Sequence, residues 1–542
     1  MKIKTNLNNR LFVIFTLFFG LAFSQTIVDY TVKLEPITIE GFMGIQSFSA
    51  GVSGDEVLII GGRLDGLHRR QPFASFDSAG HNNQLIVLNL KTKQIWKQPL
   101  NHLNADLYNQ LKATNHNSTQ IGDSLFVIGG YGINEQTKDH ETFPFGLKLS
   151  VSEIILAVKK GGVHQDMFTQ VKDTRFAITG GQLQEINRTF YLVGGHRFDG
   201  RYNPIDRPTF VQEYLNGFRT FKWDGKQPEF LTEVKDTVNL HIRDYNLIKV
   251  QNGDENPSLM ALSGVFQRIV DLPYLQAKRI STKGSVSLVP NFRQYYNQYE
   301  CADVMIYDSV NKSSNVIFFG GISQFYDSLG VLVQDDNVPF TQSITRLAIG
   351  QDSTCFEYLQ TTKMPGYLGA GSVFVQNQHK NWREDYFLWN QKNDDPIELG
   401  YIIGGIHSSD KNIFWINDEN ESWATPIIYK VSLVPTSDLP VKSYYSNARI
   451  EVKCTKEAFP RLFNKDRKLY TVSVHSDKAH TLVFKLESPN GKEIASEQIE
   501  VKAGDFKWQQ KLPKKEGFYK ITVYDSFMPR LKWEQYLCVE EE

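Results

Sequence analysis

The chain has 542 residues, 41% of them apolar and 13% aromatic, with 59 Lys and Arg against 60 Asp and Glu. That length exceeds what one ordinary core supports and predicts at least two domains with ample apolar side chains to fill them. A formal charge of −1, with no basic stripe along any segment, excludes nucleic acid as a partner.

The first 24 residues read as a processing signal. Lys2, Lys4 and Arg10 form a positive start, residues 11–23 are apolar, and Ala22-Phe23-Ser24 offers small residues for cleavage. Thirteen apolar residues are too few to span a bilayer comfortably, no later stretch is longer, and no cysteine follows to accept a lipid. The expectation is an exported protein without a membrane span (secreted, at the cell surface or periplasmic) that begins near Gln25 after cleavage at Ser24.

Beyond the leader comes an isolated strand pattern at residues 30–39, and then a repeat. Six short apolar runs end in paired glycines or a near copy: Gly61-Gly62, Gly129-Gly130, Gly194-Gly195, Ser263-Gly264, Gly320-Gly321 and Gly404-Gly405. Their spacings are 68, 65, 69, 57 and 84 residues, and a period of this size built from short strands predicts a propeller. Around the first pair, segments 47–52, 56–60, 84–90 and 94–98 give about four strands per unit. The glycines sit where a strand must bend or where neighbouring backbone packs close. Phe168-Thr-Gln-Val-Lys-Asp-Thr174 recurs as Leu231-Thr-Glu-Val-Lys-Asp-Thr237, which repeats the unit outside the glycines. No long stretch has the 3.6-residue period of an amphipathic helix, so almost no helix is expected.

The sixth unit supplies a third strand at 426–435, then a linker, and no fourth. The orphan strand 30–39 could complete it and remove two exposed sheet edges. From about residue 444, seven short alternating segments separated by turn signals such as Ser488-Pro-Asn-Gly491 predict a small β-sandwich. The predicted fold class is therefore all-β: a leader (1–24), a six-bladed propeller (25–438) closed by its N-terminal strand, and a sandwich (444–542).

The glycine pairs, with spaced aromatics such as Trp96, Trp223 and Tyr429, resemble the kelch-repeat propellers of exported bacterial proteins over about residues 26–436. The resemblance departs at Ser263 and in unit length, which long loops explain. Residues 484–524, with Asn490-Gly491-Lys492 and Gly517-Phe-Tyr-Lys-Ile-Thr-Val523, resemble immunoglobulin-like modules and the sorting domains of type IX secretion, although the chain ends Cys538-Val-Glu-Glu-Glu rather than in a basic-apolar tail. Kelch propellers are mostly non-catalytic binding modules, and their ligands gather on one face around the central channel. Six-bladed members include the sialic-acid mutarotases, and a copper-radical oxidase type also exists; the latter needs a Tyr-Cys crosslink and ranks last here.

The loops after the glycines carry Arg63, His68, His196, Arg197 and His407, and the lead-ins to inner strands carry His116, Arg243, Asp244, Tyr299 and Glu300. Planar polar groups and aromatics suit a sugar, so the leading expectation is a binding module for a glycan or protein ligand. The alternative is a carbohydrate-active enzyme resembling the mutarotases, with Glu300 as acid/base, Arg243 as substrate anchor and His116 beside them. Arg243-Asp244 could equally be a structural ion pair. The sequence calls for no cofactor, and without CxxC or Cys/His spacing no metal is expected. In an oxidising compartment, Cys301, Cys355, Cys454 and Cys538 are expected to form two disulfides, by any of three pairings.

Overall fold

The computed structural model describes residues 29–540 apart from 69–74, 203–209, 253–254, 269–270, 291, 329–330, 351–353, 391–394, 415, 417–419, 437–440, 443–450, 455–460, 464–468, 477–479, 503, 512, 514, 516 and 527. The expected leader and its cleavage point at Ser24 lie outside the described residues. Strands make up nearly all of the regular structure.

The repeat units fold as four-stranded antiparallel meanders. The first consists of Ser49–Ser53, Glu56–Ile60, Gln84–Asn89 and Gln94–Pro99, side by side in chain order. The next three meanders begin at Asn117, Gln182 and Asn246. In the fifth, the four strands from Asp303–Asp308 to Cys355–Lys363 keep the same order, and Trp382–Arg383 with Tyr386–Trp389 add to the inner edge, which accounts for the long last spacing. The sixth takes Val373–Gln376, Ile397–Ile403 and Ile428–Thr436 from its own unit. Its fourth strand is Asp29–Ile37, antiparallel to Ile428–Thr436 from Asp29 opposite Thr436 to Ile37 opposite Ile428. Arg346 holds the start of that strand through Nη1 and Nη2, which donate to the Asp29 carboxylate at 2.6 and 3.0 Å.

The apolar runs before the glycines have a direct cause. In Glu56–Ile60, Val57 and Ile59 pack with Val375 and Ile403 of the sixth sheet, whereas Leu58 and Ile60 pack with Leu125 and Val127 of the second. A strand buried on both faces cannot alternate with polar residues, hence a continuous run. The same division recurs at Phe126 and Val127, Phe190 and Tyr191, and Ile317 and Phe318. Six apolar clusters thus lie between successive sheets, one of them between the sixth and the first. Each innermost strand neighbours the next, and Val373–Gln376 neighbours Ser49–Ser53.

Close approach explains the glycines. A Cβ on Gly61 (φ +63°) would lie 2.1 Å from the Ala113 carbonyl oxygen in the lead-in to the second sheet, and one on Gly129 would lie 1.9 Å from the Ile178 oxygen. Ser263, in place of the first glycine, takes φ +57° and donates through Oγ to the Asn297 carbonyl at 2.6 Å.

Helix is sparse, as expected, and one expectation, on the cysteines, is corrected. Val151–Lys160 is a two-to-three-turn α-helix, capped by Ser150 and ended by Gly161 in the left-handed region, and Ala105–Leu111 is a shorter one. Val151, Ile154, Ile155 and Val158 recur at helical spacing and bury against the first sheet. Cys301 and Cys355 are both buried thiols, not a disulfide. Cys301 leads into the innermost of the fifth unit's four strands and Cys355 opens the fourth, with two strands between them. Three strand spacings make roughly 14 Å, about twice the Cα separation a disulfide tolerates. The side chains of Cys454 and Cys538 lie outside the described residues.

The C-terminal strands form two sheets of their own. Glu451–Cys454, Leu469–Ser476 and Gly504–Lys511 make one; Arg461–Phe463, Met528–Glu540, Gly517–Asp525, His480–Glu487 and Glu493–Val501 make the other. Val472, Val474, Leu482, Phe484, Trp508 and Ile521 join in a separate apolar cluster. Among the described residues, no helix is long and apolar enough to cross a membrane.

Candidate functional site

Where the chain enters each innermost strand, one residue adopts the left-handed conformation: Ser47, Asn115, Gly180, Asp244, Glu300 and Gly371, with φ between +48° and +70°. Their backbones connect. Asn115 N donates to Ser47 O at 3.0 Å, Gly180 N to Asn115 O at 3.3 Å and Asp244 N to Gly180 O at 2.8 Å. Gly371 N donates to Glu300 O at 2.6 Å, and Ser47 N to Gly371 O at 2.8 Å. These five bonds join the six lead-ins in one line, from Asp244 through Gly180, Asn115, Ser47 and Gly371 to Glu300.

A cavity of about 210 Å3 borders these lead-ins. The side chains of Ser47, Asn115, Asp244 and Glu300 form its floor. Its wall includes the residue directly after each glycine pair: Arg63, Tyr131, His196, Val265, Ile322 and Ile406. Short bridges fix these wall residues to the lead-ins, Gln46 to Arg63, Thr114 to Tyr131, Thr179 to His196, Arg243 to Val265 and Tyr299 to Ile322. His68, Phe76, Phe198 and Tyr202 continue the wall toward the mouth, with His68 stacked on Phe76 at 4.8 Å and edge-on to Tyr202 at 4.9 Å.

Glu300 is the chemically distinctive group. Ser47 Oγ and Asn115 Nδ2 both donate to its Oε1, at 3.1 and 3.0 Å. Burial, reinforced by the charge of Asp244 and opposed by those two donors and Arg243, pushes its carboxyl up to about 8. Asp244 is pushed up by burial as well, but Arg243 Nη1 donates directly to its Oδ2 and pulls it back. With a guanidinium in contact with only one of the two carboxyls, the arrangement favours the charge on Asp244 and the proton on Glu300. Arg243 Nε also donates to the Tyr214 hydroxyl at 3.1 Å, and its guanidinium lies 5.2 Å from the Phe266 ring centre.

The remaining polar groups are held firmly. Arg63, 1% exposed, donates through Nε to Asp65 Oδ1 at 2.7 Å and through Nη2 to the Asp77 carbonyl at 3.1 Å, while Nη1 has no partner in the structure. Burial, then the charge of Arg243, holds His196 well below the usual imidazole range, so it is neutral, and its Nδ1 meets the Gln212 amide at 2.6 Å. Burial raises the Tyr299 phenol, aided by Asp244 and Glu300. Among the described residues, no three His, Cys, Asp or Glu gather that could hold a metal ion.

Of the residues singled out from sequence, Arg63, His68, His196, Arg243, Asp244, Tyr299 and Glu300 border the cavity. Three do not. The His116 ring is wedged between two glycine pairs, where a Cβ on Gly61 or Gly130 would come within 2.5 Å of it. Its Nε2 meets the Gln110 carbonyl at 2.8 Å, and burial lowers it to about 4. Arg197 points outward along the alternation of His196–Asp199 and pairs with Asp199 at 2.6 Å. His407, opposite in direction to Ile406, packs on Trp423 with ring centres 4.5 Å apart. Sequence reasoning passed over Ser47, Asn115, Thr179 and Tyr131. For Tyr131 the usable signal was its fixed position after the glycines.

Among the solved structures the chain is similar to is that of YjhT, with 13% identity and a TM-score of 0.41 over 73% of this chain and 99% of that one. Another is a novel fungal alcohol oxidase with catalytic diversity among the AA5 family, in complex with copper, with 11% identity and a TM-score of 0.38 over 94% of this chain and 100% of that one. Both scores fall below 0.5, and neither likeness carries an argument. No family model matches the chain, and no curated protein matches it.

Proposed function

We propose that the chain is an exported, six-bladed kelch-like propeller whose central pocket binds a single carbohydrate unit, followed by an immunoglobulin-like C-terminal domain. Support for closure comes from the Ser47–Gly371 backbone bond between the first and sixth lead-ins, the apolar cluster between the sixth and first sheets, and the pairing of Asp29–Ile37 with the last strand of the sixth. The observation that carries the ligand class is the convergence of one wall residue from each unit on a small pocket with a polar, hydrogen-bonding floor. Pockets for drug-sized ligands run to roughly 300–1,000 Å3. A pocket of about 210 Å3 suits a smaller molecule and not a protein surface. Rings such as Phe76 and Tyr202 offer apolar faces to a sugar, and Ser47, Asn115, Arg63 and His196 offer directional partners for its hydroxyls. Glycan-array binding with the wild type and Arg243→Ala tests the reading. No binding to any glycan, or unchanged binding in the variant, refutes it.

A second reading, interconversion of sugar anomers, has its own observation in its favour: Glu300 is a neutral acid with Oε1 engaged and Oε2 left for the cavity. Such a group can give a proton to a ring oxygen and recover it from the anomeric hydroxyl. Arg243 and Arg63 are the cations that would anchor a substrate carboxylate. An NMR assay of anomer exchange with no acceleration over buffer ends this reading and leaves the binding one standing.

A further inference from the structure

One repeat position divides the pocket chemically. The residue after the glycine pair is Arg63, Tyr131 and His196 in the first three units and Val265, Ile322 and Ile406 in the last three. All six face the same cavity, so consecutive sheets give it a polar half and an aliphatic half. Val265, Ile322 and Ile406 belong to one apolar cluster with Ala370, backed by Phe340 and Ile413. Phe266, Leu67 and Phe414 pack on that cluster and extend its surface at the cavity. Opposite it, Arg63 and His196 present polar atoms, and Tyr131 Oη donates to the Gly200 carbonyl at 2.7 Å.

A sugar with hydroxyls all round would fit only half of this site. Hydroxyls laid against Val265, Ile322 and Ile406 would lose water and find no partner, which costs affinity. A methyl group there would instead bury apolar surface on both sides of the contact. We infer that the sugar this pocket takes carries an apolar group, either the methyl of a deoxy carbon or the methyl of an N- or O-acyl substituent, seated on the wall formed by Val265, Ile322 and Ile406. The inference rests on the carbohydrate reading of the pocket and deepens it.

Titration calorimetry of the full chain with matched pairs tests it. L-fucose against L-galactose and L-rhamnose against L-mannose probe the deoxy methyl; N-acetylglucosamine against N-formylglucosamine probes the acyl methyl. In at least one arm the methyl-bearing member should bind about fourfold tighter or more, the effect of one buried methyl group, and Ile406→Ser should erase the difference. Where that variant fails to fold, saturation-transfer NMR on the wild type reads the same contact, with the methyl protons expected to be the most strongly saturated. Equal affinity within every pair, or methyl saturation no greater than that of the ring protons, overturns the inference and leaves the carbohydrate reading intact. If no member of any pair binds, the carbohydrate reading fails and the inference fails with it.

Discussion

Glu300→Gln separates the floor's electrostatics from its geometry. Glutamine keeps an Oε1 that can accept from Ser47 Oγ and Asn115 Nδ2 as the carboxyl does, at 3.1 and 3.0 Å, but it cannot ionise. In the fold the carboxyl titrates near 8, against an ordinary value of 4.5, chiefly because it is buried and Asp244 is close. A raised carboxyl value means that the folded protein prefers the neutral acid. Its stability is therefore fully present below about 4.5 and is lost as pH rises through 8. The full difference corresponds to about 5 kcal/mol, and solvent screening reduces it, so about 2–3 kcal/mol is the expected measurable part. Thermal melts of wild type and Glu300→Gln from pH 4 to pH 9.5 should coincide at the acid end. At the alkaline end the variant should melt several degrees higher. Ligand titrations at pH 6 should differ little between the two, because both present the same accepting oxygen, while any anomer exchange should vanish in the variant. Melting curves that stay parallel across the pH range would refute the argument that Glu300 holds the proton.

Other perturbations probe the scaffold and the site. Gly61→Ala and Gly54→Ala both force a side chain into φ +63°, but only Gly61 faces backbone, at 2.1 Å, while Gly54 faces open space. Urea melts should give about 1 kcal/mol for Gly54→Ala and at least twice that for Gly61→Ala; equal losses would remove close approach as the cause of the glycine repeat. Arg243→Met leaves Asp244 buried without its cation and should cost about 3–5 kcal/mol, with recovery in the double variant Arg243→Met/Asp244→Asn, as melting of all three proteins would report. Lys278, buried with Nζ donating to the Ser263 carbonyl at 3.2 Å, is lowered by burial to about 7 from 10.5. A lowered lysine makes stability fall as pH drops from 10.5 through 7, so Lys278→Met should be stabilising at pH 6.5 and neutral near pH 10.5; a pH-independent effect in melts would contradict this.

The sheet repeat was legible because its physical cause is local. A second strand buried on both faces leaves a continuous apolar run, and the close lead-in of the next sheet leaves a glycine pair; both are written in adjacent residues. The strand at 29–37 was legible for the opposite reason, as a strand pattern with no partner in its own unit. Val151–Lys160 carried its signals too, a Ser150 cap with Glu153 three residues on and a left-handed Gly161 at the end. It was passed over because ten residues do not make a long period, and because only packing against the first sheet stabilises so short a helix. The cysteines failed for lack of a third dimension: Cys301 and Cys355 are separated by the width of a meander, which no count of intervening residues reveals.

In the pocket, side-chain direction decided what sequence could find. At four lead-ins the left-handed residue, Ser47, Asn115, Asp244 or Glu300, turns its side chain to the floor and the next residue points away from it, while Gly180 and Gly371 have no side chain to turn. Choosing His116 over Asn115 was therefore an error of one position, and it exchanged a floor residue for a ring packed between glycine pairs. In the first three units the floor residue lies 14 positions before the first glycine, as 47 does before 61, 115 before 129 and 180 before 194. That ruler then stretches, to 19 for Asp244 and 20 for Glu300, because the strand pair between lead-in and glycines lengthens in those units. The position after the glycines does not stretch, since no loop intervenes. Read there, Arg63, Tyr131 and His196 followed by Val265, Ile322 and Ile406 give the composition of the wall directly. The division of the pocket into a polar and an aliphatic half is thus the feature of the site most firmly encoded in the chain. The pairing of Glu300 with Ser47 and Asn115 depends instead on three units separated by up to 253 residues meeting at one place, and no local pattern carries it.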